Sequence, residues 1–346
     1  MIGIRELARH LDISIGTVSR ALNGKADVNL ETRKRVQAAA AALGYSPNQS
    51  GRSLRKGATG LVGVLIPSDP EQTLVDPVFA AVLDGLHRCL PAAGLDLAIF
   101  LYSGEEEAFG ALRRVCERRM VDAVIIAQTL RVDPRIDFLL ARAIPFVAFG
   151  RSGEGAAHSW VDMDFGAAVD GAVERLVGFG HRRIAAVLPD GDLNYAHLMM
   201  ERLRDALAQH GIDAPAAYLP RLGHGEAGGY RAAEALLALD ERPTAVLAAG
   251  RTLAVGLYNR LREAGVRPGR DLAVIGLHCD AQAQFLSPAL SCFQSDLPRV
   301  GRELGGALLA AMGRSGSGTG LVQCLVPVTF RQGDSDGGGP ERAGAS

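Results

Sequence analysis

The chain has 346 residues, 48% hydrophobic and 22% charged, which is enough for two or three packed units of ordinary soluble composition. It has no uncharged apolar run of about 18 residues or more, and Met1 to Glu6 lacks the character of an export signal, so the expected location is the cytoplasm. The five cysteines are scattered, with no Cys-x-x-Cys pair and no His at ligand spacing, so the expectation is reduced thiols, no metal and no cofactor.

The formal net charge of −1 divides unevenly along the chain. Residues 1–60 hold ten Lys/Arg against four Asp/Glu, a balance of +6, and the remainder holds 27 against 34, a balance of −7. A basic head on an acidic body is the asymmetry expected when only the head meets a polyanion.

Ile4, Leu7, Ala8 and Leu11 repeat at helical spacing, which predicts a first helix over Ile4–Leu11 and a tight turn through Asp12-Ile13-Ser14. Ser14 can accept from the free N–H groups of a second helix, and Ile13 can pack on Val18. In that helix Val18, Ala21 and Leu22 share one face, leaving Ile15, Gly16, Thr17, Ser19, Arg20 and Asn23 outward. Such a short polar face suits a DNA major groove, where Arg20 can give two parallel donors to a guanine and Ile15 can touch a thymine methyl. The alternative is an ordinary amphipathic surface helix. Gly24 stops the helix, Asn29 caps a third, Val36, Ala40 and Leu43 form its buried stripe, and Gly44 is its exit. Residues 1–46 thus read as an all-α helix-turn-helix domain.

Residues 47–60 follow as hinge and linker. The segment is short, contains Gly51 and has Leu54 as its one large apolar residue before residue 57, so it should not be helical alone. Paired on DNA across a dimer, two Leu54 side chains could wedge into the minor groove while Arg52, Arg55 and Lys56 meet phosphates. The alternative is a flexible linker.

From Leu61 the pattern changes. Continuous apolar runs at Leu61–Pro67, Leu95–Leu101, Val121–Ala127, Phe146–Phe149, Ile184–Leu188, Ala245–Ala249 and Leu272–Gly276 alternate with helical stretches, ending in an expected last strand over Val322–Phe330. This alternation predicts parallel sheets covered by helices, long enough for two lobes, with a ligand at strand carboxyl ends or between lobes. Residues 331–346, glycine-rich and poor in large apolar side chains, read as a disordered tail after a body at 61–330.

These residues together resemble the LacI/GalR family of bacterial transcription regulators along nearly the whole chain. The resemblance rests on Ile4-Arg5-Glu6-Leu7-Ala8, Ser14-x-x-Thr17-Val18-Ser19-Arg20-x-Leu22-Asn23, Val28-x-x-Glu31-Thr32-Arg33-x-x-Val36, Leu43-Gly44-Tyr45-x-Pro47-Asn48, and Leu54. It implies an α/β two-lobe periplasmic-binding-protein-like core with three crossovers and an N-terminal all-α helix-turn-helix domain, acting as a dimeric repressor on a palindromic operator. It also implies an effector in the interlobe cleft, and a hinge that folds on DNA with its leucine in the central base step. The expected DNA-binding residues are Ser14, Ile15, Gly16, Thr17, Ser19, Arg20, Asn23, Asn48, Arg52 and Leu54.

Some positions depart from the family pattern. Gly16 stands where a polar base-reading side chain is usual, and Gly51 replaces a usual alanine, at a cost of about 1 kcal/mol in helix propensity. In the cleft, His197, Gly250-Arg251 and His278 line up with three familiar sugar contacts and replace them, while Phe79, Arg151 and Asp296 match. The expected effector-binding residues are Phe79, Arg131, Arg151, His197, Arg251, His278 and Asp296. A sugar or polyol is the first expectation, and a cleft rich in Arg and His would suit a sugar acid or sugar phosphate as well. The histidines could equally be structural. His158, beside Trp160 and Asp162, is expected to face the cleft, the alternative being a loop cap.

The rival reading is a nucleotide-dependent enzyme, because Gly223-x-Gly225-x-x-Gly228 matches the dinucleotide fingerprint in form. That fingerprint needs a strand before it and an acid at the end of the next strand, whereas Asp240 and Glu241 precede that strand. A periplasmic binding protein would share the body but have no use for a basic head. The expectation is therefore no catalytic activity.

Overall fold

The computed structural model describes residues 2–22, 24–45, 58–68, 77–103, 105–153, 157–314 and 320–337. Asn23, Asn48, Arg52 and Leu54 lie outside the described residues. The chain divides into two units, Met1–Thr59 and Gly60–Ser346.

The described residues of the first unit form three helices, α1 (Ile4–Leu11), α2 (Ile15–Leu22) and α3 (Leu30–Ala42). α1 ends where Asp12 turns left-handed at φ 52°, and the Ser14 hydroxyl oxygen accepts from the Thr17 N–H at 3.0 Å to start α2. Asn29 caps α3 by accepting from the Thr32 N–H at 2.7 Å. Leu7, Ala8, Leu11, Val18, Ala21, Val28, Val36 and Ala40 form its core. Side chains of α3 brace the rest: Arg35 donates to the Leu11 carbonyl and Arg33 to the Lys25 carbonyl, so the turn ends are held by α3 as well as by the small core.

In the second unit, β1 (Leu61–Pro67), β2 (Asp96–Tyr102), β3 (Ala123–Ala127), β4 (Phe146–Phe149), β5 (Trp160–Met163) and β10 (Gln323–Val326) form one sheet in the order β10-β5-β4-β3-β1-β2. All its pairings are parallel. The other sheet has the order β11-β9-β8-β7-β6, from β6 (Ile184–Val187), β7 (Ala245–Ala248), β8 (Ala273–Gly276), β9 (Ser291–Ser295) and β11 (Val328–Arg331), with only the β11–β9 pair antiparallel. β3, β6, β7 and β8 are buried along their whole length, the mark of parallel strands covered on both faces.

The chain crosses between lobes three times. It passes from β5 into α7 (Phe165–Gly178), from β9 into α11 (Leu297–Ala311), and from β10 to β11. Asp164 and Asp296 sit at the first two crossings and cap the helices that follow, accepting from the N–H groups of Ala167 at 3.0 Å and Arg299 at 2.9 Å. At the third, Pro327 splits the expected single strand over Val322–Phe330 into two, one in each sheet. A proline has no N–H to continue a ladder, and here it marks the change of sheet.

Three further expectations need correction. Trp160–Met163 and Ser291–Ser295 are strands that the apolar runs missed, because each carries polar residues into the sheet. The pattern near Val78–Ala92 predicts one helix, but the helix ends at His87, and Pro91–Ala93 forms a separate short turn. The tail does not begin at 331. Arg331 pairs with Cys292 in β11, and residues 332–337 strap back onto the second sheet: the Val274 N–H donates to the Ser335 carbonyl at 2.7 Å, and Asp336 is 1% exposed. In that strap Asp336 accepts from the Arg175 guanidinium, from the Ser291 hydroxyl at 2.6 Å and from the Gln332 amide at 2.9 Å.

Glycine sets one helix contact directly. A β-carbon on Gly301 would lie 2.1 Å from the carbonyl oxygen of Val82 in α4 (Pro77–His87), so α11 and α4 pack backbone to backbone.

Candidate functional site

Between the lobes of the second unit lies a cleft of about 530 Å³. Its walls come from the carboxyl ends of strands in both sheets, among them Ser68, Gln128, Phe149 and Asp162 on one side and Asp190, Arg251, His278 and Asp280 on the other. A side chain placed at those ends is fixed at its base by a buried strand and free to face the space beyond it.

Phe79, Arg251 and His278, three of the expected effector residues, line the cleft. Phe79 meets Phe149 edge to face with ring centroids 5.8 Å apart, and His278 meets Phe165 in the same way at 5.8 Å. Phe165 also packs on Tyr195, 5.6 Å away, so each lobe offers an aromatic surface.

Arg131, Arg151, His197 and Asp296 are not among the lining residues. Asp296 is the helix cap at the second crossing. The other three belong to a seam that joins the lobes along one side. Arg131 pairs with Glu201 at 2.6 Å across the lobes, and its N–H donates to the Asp192 carbonyl at 3.3 Å. Asp192 also holds the His197 ring at 2.7 Å. The Arg151 carbonyl accepts from the Thr129 hydroxyl at 2.7 Å and from the Asn194 amide at 2.8 Å. The family resemblance located the region and could not separate seam from wall.

Among the cleft residues that sequence reasoning missed are four carboxylates, Asp133, Asp162, Asp190 and Asp280. Asp133 grips Arg135 through two bonds of 2.9 and 2.6 Å, and both side chains are almost wholly buried. Asp280 accepts from Arg251 at 2.9 Å. Asp162 accepts from Arg151 at 3.0 Å, with its own side chain 2% exposed. Burial pushes the Asp162 carboxyl above the usual carboxylate range, and the Arg151 guanidinium opposes that shift. Asp133 sits between Arg131 and Arg135, and Asp162 two residues before Asp164, so in the sequence neither stands apart from surface charge.

His158 does not reach the cleft. It is buried, stacked on Phe146 with centroids 5.8 Å apart, and neither ring nitrogen has a hydrogen-bond partner among the described residues. The glycine triplet at 223–228 serves packing at the start of α9 (Gly225–Leu237): a β-carbon on Gly228 would lie 2.5 Å from Gly223.

In the first unit, Ser14, Ile15, Gly16 and Arg20 are exposed along one side of α2, with Thr17 and Ser19 half-buried. Arg20 is tied to Asp27, Nε to Oδ2, at 3.3 Å.

A helix-turn-helix unit and a two-lobed, binding-protein-like unit with an open interlobe cleft define a regulator that combines DNA binding with ligand sensing. Residues 3–48 match the model for bacterial regulatory proteins of the lacI family, and residues 173–335 match the periplasmic binding protein-like domain. The chain is 32% identical to the HTH-type transcriptional regulator RafR of Escherichia coli over 307 residues, 88% of this chain and 90% of that one. It is also 32% identical to the HTH-type transcriptional regulator AglR of Rhizobium meliloti, over 90% of this chain and 88% of that one. In fold it is similar to the lac repressor dimer solved with operator and the anti-inducer ONPF, with a TM-score of 0.84 and 22% identity over 97% of this chain and 99% of that one. The chain belongs to the lacI family of ligand-responsive, DNA-binding transcriptional regulators, and the relatives it matches are regulators, not enzymes. No helix among the described residues is long and apolar enough to cross a membrane.

Proposed function

We propose that this protein is a cytoplasmic repressor that binds a palindromic operator as a dimer and is controlled by a sugar or sugar derivative in the interlobe cleft. The carrying observation is that cleft, walled by both lobes and closed on one side by hydrogen bonds between them. A ligand that touches both walls binds the closed arrangement better than an open one, and that difference in affinity is what linkage requires of an effector. The dimer and operator of the lac repressor structure support the same reading for the other end of the molecule.

In this reading Ser14 starts the recognition helix α2, while Ile15, Thr17, Ser19, Arg20 and Asn23 face the major groove. Gly16 permits close approach of the backbone. Asn48, Arg52 and Leu54 serve in the hinge, with Leu54 in the minor groove and Arg52 on phosphate. Phe79, Arg251 and His278 contact effector directly. Arg131, Arg151 and His197 act on it through the seam, and Asp296 through the crossing that it caps.

The test is binding of the full chain to a palindromic fragment from its own promoter region across a salt series, with and without saccharides. A steep loss of affinity with salt, and a shift in affinity on adding a saccharide, are the expected results. Salt-independent binding, or turnover of the saccharide, would overturn the reading.

A further inference from the structure

We infer that the cleft takes an uncharged carbohydrate of two or more rings, and this rests on the cleft being the effector site. The cleft is rich in arginine by sequence, yet its arginines are already committed. Arg135 is held by Asp133 at 2.6 Å and Arg251 by Asp280 at 2.9 Å, and at the edge Arg151 is held by Asp162 at 3.0 Å. Beyond these pairs the remaining lining carboxylate is Asp190, so the fixed charge of the described lining is negative, not positive. An anionic ligand could use only the spare N–H groups of arginines already neutralised by a carboxylate, so it would gain no net countercharge and would meet the negative charge of Asp190 and of the paired aspartates at close range. Hydroxyl groups face no such barrier. Each can donate to a free lone pair of a paired aspartate, or accept from an unused guanidinium N–H, without breaking the pair.

Size and shape point to more than one ring. A volume of about 530 Å³ equals the space of roughly 18 waters at ~30 Å³ each, more than one pyranose fills. The two aromatic surfaces belong to opposite lobes, Phe79 with Phe149 on one and Phe165 with Tyr195 on the other. Sugar rings place their apolar C–H faces on such surfaces, so one ring on each lobe is the arrangement that uses both.

The experiment is calorimetric titration of the full-length protein at pH 8, where an ordinary histidine is neutral. The probes are sucrose, maltose, cellobiose and melibiose, against glucose and galactose, and against glucose 6-phosphate, trehalose 6-phosphate and galacturonate. The expected result is that one of the neutral disaccharides binds at least tenfold tighter than every monosaccharide and every anion. Tightest binding by an anion or a monosaccharide, or no binding by any disaccharide, would overturn the inference. Phe79→Ala, checked for an unchanged melting transition without ligand, separates the two levels. If an anion binds best and Phe79→Ala removes it, the cleft assignment stands and the neutral-ligand inference fails. If the tightest probe binds Phe79→Ala unchanged, the cleft assignment itself fails. Asp280→Asn, which leaves Arg251 without its carboxylate, is expected to raise affinity for trehalose 6-phosphate at least fivefold; no gain would show that the pair does not exclude anions.

Discussion

The side-chain amide of Asn194 donates to the carbonyl of Arg151 at 2.8 Å, while the Asn194 N–H donates to the carbonyl of Thr129 at 2.9 Å. One buried residue of the second lobe thus fastens two loops of the first. The bond to Arg151 tightens the closed arrangement in which the cleft walls face each other. Asn194→Ala is expected to weaken closure by about 1 kcal/mol, and with it saccharide affinity by about fivefold. Titration of the variant with the best-binding saccharide checks this; unchanged affinity would mean that the seam is equally formed with and without ligand. Arg131→Ala, which removes an exposed pair with Glu201, is expected to cost less, within about 1 kcal/mol.

Arg20 should behave as a base-reading residue whose freedom Asp27 restrains. Arg20→Ala is expected to cost about 1–3 kcal/mol on the preferred operator and to relax specificity at one base pair in each half-site. Asp27→Asn, which releases the 3.3 Å ion pair, is expected to tighten binding to all DNA and narrow the gap between operator and random sequence. Competition binding against single-base operator variants decides. Equal weakening of Arg20→Ala on every sequence would assign Arg20 to phosphate.

His158 should make the body sensitive to mild acid. Burial lowers its pKa below the ordinary 6.5, so the unfolded chain binds this proton more readily than the folded one. The neutral ring's contribution is complete above pH 6.5 and is lost as pH falls toward the folded value. Urea midpoints between pH 7.5 and 5.5 are therefore expected to fall more for the wild type than for His158→Leu. The variant also removes two buried nitrogens that have no partner among the described residues, so it should be at least as stable at pH 7.5. Parallel pH curves for the two proteins would count against this.

Asp336 anchors the strap that closes the second sheet. Asp336→Ala leaves Arg175 without its carboxylate and is expected to cost about 3 kcal/mol, read as a lower urea midpoint. Ending the chain after Arg331 should cost at least as much, because the bond that the Ser335 hydroxyl donates to the Val274 carbonyl and the one it accepts from the Ser291 N–H go with it. A truncated chain as stable as the full one would show that the strap is ornamental to folding.

The sequence by itself determined what depends on local pattern. Helical spacing and the caps Ser14 and Asn29 define the three-helix head. The apolar runs define most of the parallel strands, because a strand buried on both faces must be apolar throughout. The family motifs supply the two-lobed plan. Tertiary structure alone decided what depends on neighbours distant along the chain. The strands at Trp160–Met163 and Ser291–Ser295 hold polar residues that become tolerable once Arg151 reaches Asp162 and Asp336 reaches Ser291. Pro327 divides one apolar run between two sheets, and residues 332–337 read as loose until their partners on the second sheet are in place. The cleft shows the same limit most clearly. Arg151 and Arg251, which look like anion receptors in sequence, are neutralised by aspartates lying 11 and 29 residues away, and only the fold brings each pair together.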